Sequence, residues 1–217
     1  MDLDWSKEKI KPTLLFSRRS EVEVINETNL KNLKGPSVLF DAKTIFSPII
    51  EKGLTLESQQ VQNAIKKLDR DAPYKSNLEL RIGAQVMLIY NLDQENGLVN
   101  GSRGVVEGFT ETAPRLPMVL FKNHSTPIPI EYQSWESEDV EGLKRNQIPL
   151  ILAYSSTIHR LQGSTLDSAL IDIGPRTFEI GQAYVALSRV KSLDSLYIYD
   201  LEKSAIKTHP KIVEFYK

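Results

Sequence analysis

The amino-acid sequence predicts an α/β chain: an open sheet with helices packed on it, interrupted by a small β-barrel. Three observations carry this. Near both ends, short apolar runs of strand length alternate with helix-length amphipathic stretches, the rhythm of an α/β sheet. Between Asn91 and Arg145 the rhythm stops and turn signals crowd in: Asn96-Gly97, Asn100-Gly101, Gly104, Gly108, Pro114, Pro117, Pro127 and Pro129. The 217 residues suffice for one sizeable domain, or for one with a smaller unit set into it.

Thr13 to Phe16 reads as a buried strand, and Ser17-Arg18-Arg19 as the polar turn after it. A helix is expected next. Ser20 and Glu23 have capping-box spacing, Val22, Ile25, Leu30 and Leu33 form an apolar stripe, and Gly35 stands where a helix ends. Ser37 to Phe40 is the next strand, completing a strand, turn, helix, strand unit. From Asp41 to Ser76 the pattern weakens, punctuated by Pro48, Gly53 and Pro73, with one helix expected over Leu56 to Leu68. Leu78 to Ile82 alternates apolar and polar residues, and Gln85 to Tyr90 continues as a more buried strand, so the two read as paired or consecutive.

Val105-Val106, Met118 to Phe121 and Ile128 to Tyr132 are the strand candidates of the turn-rich stretch. Their close spacing suggests a barrel over 99–145, the bland alternative being a long, partly disordered excursion. The α/β rhythm then returns. Pro149 to Tyr154 is an apolar strand, Ser155-Ser156-Thr157 suit a helix start before Ile158 to Leu161, and Gly163 ends that short helix. Ala169 to Gly174 is a strand, Gln182 to Arg189 a helix, and Leu196 to Tyr199 a last strand. A terminal segment then closes on Ile212, Val213, Phe215 and Tyr216.

Composition excludes more than it names. Lys plus Arg (27) nearly balances Asp plus Glu (28), so attraction for a polyanion must come from local clusters and not from the net field. With no cysteine, and with His124, His159 and His209 far apart, metal held by this chain alone is not expected. The N-terminus lacks the apolar core of a signal peptide and no stretch reaches membrane-spanning length. A soluble, intracellular protein with no membrane partner is expected.

Two segments carry chemistry. Ile151 to Asp167 delivers hydroxyls, an imidazole and an amide to a strand end, where open α/β sheets bind ligands. Hydroxyls and free N–H groups at a helix start there would suit phosphate. Taken alone, Ser155 and Ser156 merely cap and His159 sits on the surface. The second segment, Gln182 to Ser192, leaves Arg189 at a helix C-terminus, able to reach across a cleft toward a transferring phosphoryl group. Alone, such an arginine is more often a helix-end cation.

Together these segments resemble the fifth and sixth motifs of superfamily-one helicases, most closely the Pif-type family (petite integration frequency helicases) and their RecD-like relatives. The resemblance extends to Pro12–Asn26 as the fourth motif, Leu80–Leu88, Leu98–Val106, Ile158–Thr165 and Ala183–Arg189. It implies a RecA-like (P-loop NTPase type) lobe, an open parallel sheet with helices on both faces. Residues 1–98 and 146–217 would form this second motor lobe and 99–145 the inserted barrel. Arg189 would be the finger on the γ-phosphate of ATP, with Gln162 and Gly163 at the nucleotide cleft and Arg18 or Arg19 approaching ATP from the fourth motif. Ser156, Thr157 and His159 would touch the phosphates of single-stranded DNA. By resemblance the motor runs 5′ to 3′ in replication, repair or recombination. At Arg160-Leu161 family members often have Lys-Ser.

The phosphate-cradling Gly-Lys-Ser/Thr loop and the Mg²⁺-holding acidic pair of such motors belong to the first lobe. No Gly-Lys dipeptide occurs here, so the chain on its own is not expected to hydrolyse ATP. A partner lobe is expected, either in the same longer chain, the simplest reading, or in a separate subunit. The rival reading is a free-standing, non-catalytic module that grips single strands. A pure protein-interaction domain gives no reason for the motif set.

Overall fold

The computed structural model describes residues 5, 8–47, 53–177 and 179–216; the expected break at Pro48 lies outside them. The first elements are β1 (Thr13–Phe16), α1 (Arg19–Asn32), β2 (Val38–Asp41), β3 (Lys43–Phe46) and α2 (Gln59–Asp71). Short strands follow: β4 (Asn77–Leu80), β5 (Gln85–Leu88), β6 (Arg103–Phe109), β7 (Pro117–Phe121) and β8 (Ile128–Pro129). Then come β9 (Gln133–Glu136), β10 (Leu143–Gln147), β11 (Leu150–Leu152), β12 (Ser155–Thr157) and β13 (Ala169–Ile173). The last elements are α3 (Gln182–Leu187), β14 (Leu196–Leu201) and α4 (Pro210–Phe215).

A parallel sheet of order β12-β1-β13-β14 forms the α/β part. Leu15 and Ile171 are register partners, and both are fully buried in one cluster with Ala183 and Ala186 of α3. Every residue of β13 is buried, as expected of an interior parallel strand covered on both faces. Helix α1 packs on β12 and β1. Edge strand β12 has its outer backbone groups satisfied by α1: the Asn26 amide donates to Ser155 O at 2.9 Å, and its Oδ1 accepts from Ser155 N at 3.0 Å. Asn26 therefore stands in for a missing neighbouring strand.

The second sheet is antiparallel, of order β11-β5-β6-β7-β8. A small barrel was expected here; among the described residues no ladder joins β8 back to β11, so the ladders of this sheet do not close. It draws in β5 and β11, which flank the expected 99–145 unit in sequence. A three-stranded ladder, β3-β10-β9, and a two-stranded one, β2-β4, complete the β structure. The bidentate Arg145–Asp69 pair, at 2.9 and 2.8 Å, fastens α2 to the three-stranded ladder. The segment from Leu150 to Thr157 runs without a loop from the antiparallel sheet into the parallel one, with only Ala153 and Tyr154 between its two ladders.

Several expectations are corrected. The Ser20/Glu23 capping box does not form: the turn after β1 is only two residues long, so the N-cap falls on Arg18 and α1 begins at Arg19. Ser155 to Thr157 do not start a helix; they pair with Leu14, Leu15 and Phe16, and the residues after them form turns, with Gly163 at φ +84°. Serine and threonine serve caps and strands alike, and here the ladder to β1 prevails. The strand after α1 leaves the parallel sheet and pairs antiparallel with β4. β4 and β5 are consecutive but unpaired, each laddered to other strands. The predicted helix over Leu56 to Leu68 lies three residues further on. Ile212, Val213, Phe215 and Tyr216 do not close a core: on α4 and just after it they are 47 to 82% exposed.

Candidate functional site

Two groups of residues flank the turn that follows β12. The first lines a cleft of about 390 Å³ where α1, the 69–75 segment and the end of β12 meet. Arg19, Ser156, Thr157, His159 and Arg160 all face it. Ser156 is 1% exposed, and its Oγ has no hydrogen-bond partner among the described residues. A buried hydroxyl without a partner is rare, so this one can serve a ligand without breaking an existing bond. The Thr157 hydroxyl accepts from Arg160 N at 3.2 Å and so holds the turn. His159 is half-exposed, with Nε2 2.6 Å from a Glu179 carboxylate oxygen. The Arg160 guanidinium donates to the Pro73 carbonyl, tying the turn to the far wall of the cleft.

The second group centres on Arg189. Helix α3 ends at Leu187, so Arg189 lies two residues past it, not at its last turn. Its guanidinium donates from Nε to Val185 O at 2.8 Å, from Nη1 to Leu161 O and Ser164 O at 3.3 Å each, and from Nη2 to Ser188 Oγ at 2.9 Å. The last two carbonyls bracket Gln162 and Gly163, both exposed. A Cβ built on Gly163 would meet nothing within 4 Å, so this turn presents an open face. Among the described residues no carboxylate lies within ion-pair distance of Arg189. Its charge is held only by neutral groups, which leaves it available to an anion.

The structure thus brings Arg189, Gln162 and Gly163 to one edge, and Ser156, Thr157 and His159 to the adjoining cleft. Arg19 joins the cleft group, away from the contacts of Arg189, while Arg18 is exposed at the N-cap of α1 and does not line the cleft.

Sequence reasoning missed Arg103. Its side chain is fully buried. Nε donates to Asp167 at 2.5 Å, Nη1 to Lys11 O at 2.6 Å and Thr13 Oγ1 at 3.2 Å, and Nη2 to Ser168 Oγ at 2.8 Å. Lys122 reaches the other Asp167 oxygen at 2.8 Å. Burial alone would raise the Asp167 pKa, but the bonds and charges of Arg103 and then Lys122 outweigh it and hold the carboxyl at about 2. The one available signal was an arginine between Gly101 and Gly104 in a strand whose other inward residues are apolar. Asn26 gives the same kind of signal: it sits four residues from both Val22 and Leu30, a polar residue in the middle of the apolar stripe.

The chain is thus an α/β lobe with a parallel sheet, an attached antiparallel sheet, and an arginine without a carboxylate partner beside an open turn. Residues 65–109 match the family model of the DNA helicase Pif1, 2B domain. The chain is 38% identical over 212 residues to the ATP-dependent DNA helicase PIF1 of Homo sapiens and 36% to that of Xenopus laevis. Each alignment covers 97% of this chain, which spans about a third of those relatives, 30% and 31%. The Pif1 helicase of Candida albicans superposes with a TM-score of 0.72 at 32% identity, over 96% of this chain and 50% of that one. The Bacteroides sp. Pif1 in complex with ADP-AlF4 gives 0.68 at 25%, over 94% of this chain and 44% of that one. Over nearly its whole length the chain is thus similar to a lobe-sized part of the Pif1-type helicases.

Proposed function

We propose that the chain is the second motor lobe of an ATP-dependent DNA helicase moving 5′ to 3′ along single-stranded DNA. In this reading Arg189 is the finger on the γ-phosphate, and the antiparallel sheet is the accessory unit bearing on the strand. The observation that carries it is the state of Arg189: half-exposed, bonded only to carbonyl and hydroxyl oxygens, and set against the turn that holds Gln162 and Gly163. A preorganised cation facing an open turn is what stabilising charge on a phosphoryl group requires. ATP with Mg²⁺ would supply that phosphoryl group. Arg189, Gln162 and Gly163 fit its outer end only, and the phosphate cradle falls to the first lobe, since no Gly-Lys dipeptide occurs here. On its own the chain is inactive.

Ser156, Thr157 and His159 are the strand contacts in this reading, with the free Ser156 hydroxyl the best donor to a phosphate. Arg19, which lines the same cleft, assists them in this reading rather than ATP. The relatives support the assignment: the Bacteroides Pif1 has been captured bound to single-stranded DNA, and with ADP-AlF3 and single-stranded DNA together. Unwinding would serve replication, repair or recombination inside the cell. The test is Arg189→Ala in the protein joined to its first lobe. DNA-stimulated ATP hydrolysis should fall by roughly 10³-fold or more, as for other arginine fingers. Retention of full activity would end this reading.

A further inference from the structure

Arg103 lies on the antiparallel sheet, yet its side chain bonds to the segments that enter two strands of the parallel one. Its fork joins Asp167 and Ser168, at the end of the motif turn and the entry to β13, to Lys11 and Thr13 at the entry to β1. One residue before Asp167, Leu166 donates its N–H to Arg189 O at 2.7 Å and bridges to Val190. The turn that holds Gln162 and Gly163 is therefore pinned at its far end between two arginines. A second contact comes from the same sheet: a Cβ on Gly101 would sit 2.9 Å from Thr165 O, so the loop before β6 presses directly on the turn.

We propose that Arg103 and Asp167 are positioning residues that set the finger, coupling the placement of the antiparallel sheet to Arg189 through the Leu166–Arg189 backbone contact. The inference rests on the reading of Arg189 as the finger. A planar fork with partners on two strands is rigid in a way a single ammonium contact is not. Any shift of β6 is carried through Asp167 to the Leu166 N–H, and so to the backbone of Arg189. Misplacement of a catalytic group by about 1 Å costs up to about 10²-fold in rate, so a modest displacement suffices.

The test is a double-mutant cycle in the full-length helicase with both lobes, reading kcat and KM for ATP in the presence of single-stranded DNA. Asp167→Asn keeps the shape and an acceptor for Arg103 but removes the charge. It should lower kcat about tenfold or more with KM within a factor of about two, because the finger acts in the transition state. Combined with Arg189→Ala, it should add no further loss. A merely structural role reduces the active fraction in either background, so the losses would multiply, and that outcome overturns the proposal. Wild-type kcat in Asp167→Asn overturns it as well. Should Asp167→Asn fail to fold, Lys122→Ala, which removes only the half-exposed partner of Asp167, takes its place in the cycle with a loss of a few-fold and the same criterion. Full activity of Arg189→Ala alone refutes the finger itself, whereas multiplying losses beside an essential Arg189 refute only the coupling.

Discussion

Arg103 and Arg189 both donate four hydrogen bonds to their own chain, and they differ in what accepts them. Arg103 is buried and faces a carboxylate; Arg189 is half-exposed and faces carbonyls and a hydroxyl. The first has its charge neutralised inside the fold, where an unpaired cation would cost several kcal/mol. The second is oriented without being neutralised. The two arginines therefore differ in counter-charge and not in the number of their bonds. With Arg189 read as proposed, that difference predicts opposite consequences of mutation.

The largest effect on stability is expected at the buried member. Arg103→Ala removes the buried partner of Asp167, leaving it Lys122 alone, and should destabilise the fold by about 3 kcal/mol, measured by urea denaturation; a change below about 1 kcal/mol would mean the pair contributes little. Acid sharpens the same contrast. The folded Asp167 pKa, about 2, lies below the ordinary 3.8, so its stabilisation is fully present above pH 4 and is lost as pH falls toward 2. At 1.36 kcal/mol per unit this is about 2 kcal/mol, by which the stability gap between the native protein and Asp167→Asn should narrow across that window. A gap that stays constant would argue against the depressed pKa.

Arg189→Ala should cost less stability than Arg103→Ala, about 1–3 kcal/mol for the bonded carbonyls it leaves, because it strands no counter-charge, while activity collapses. A large loss of stability there would erase the distinction between the two arginines. Smallest of all is the exposed His159–Glu179 pair: Glu179→Gln should alter stability by under about 1 kcal/mol, with any change shrinking in high salt.

Much of the α/β rhythm was readable because apolar runs at β1 and β13 and the amphipathic stretch of α1 report burial directly. Partnership was not. Nothing in Val38 to Phe40 says that this strand pairs with β4 and not within the parallel sheet, because pairing is settled by residues 38 to 42 positions away. Ser155 to Thr157 misled for a local reason: their hydroxyls suit a cap, while the backbone is claimed by β1 on one side and Asn26 on the other. At the site, the positions of Arg189, Gln162 and Gly163 were legible from their motifs. The grouping of Arg19 with Ser156, Thr157 and His159 was not, since it depends on how α1 crosses β12. Arg103 stayed hidden because its carboxylate partner is 64 residues away in sequence.

The uninterrupted run from Leu150 to Thr157 has a mechanical consequence. A stretch of eight residues engaged in two ladders, bending at Tyr154 between them, acts as a braced elbow and not as a slack tether. Ala153 is fully buried, its N–H donates to Gln85 O, and its carbonyl accepts from Thr13 and Gln85, so the angle of the elbow is held by bonds to both sheets. A load applied to the antiparallel sheet therefore reaches Ser156 and Thr157 through backbone that is tied down on both sides of the bend.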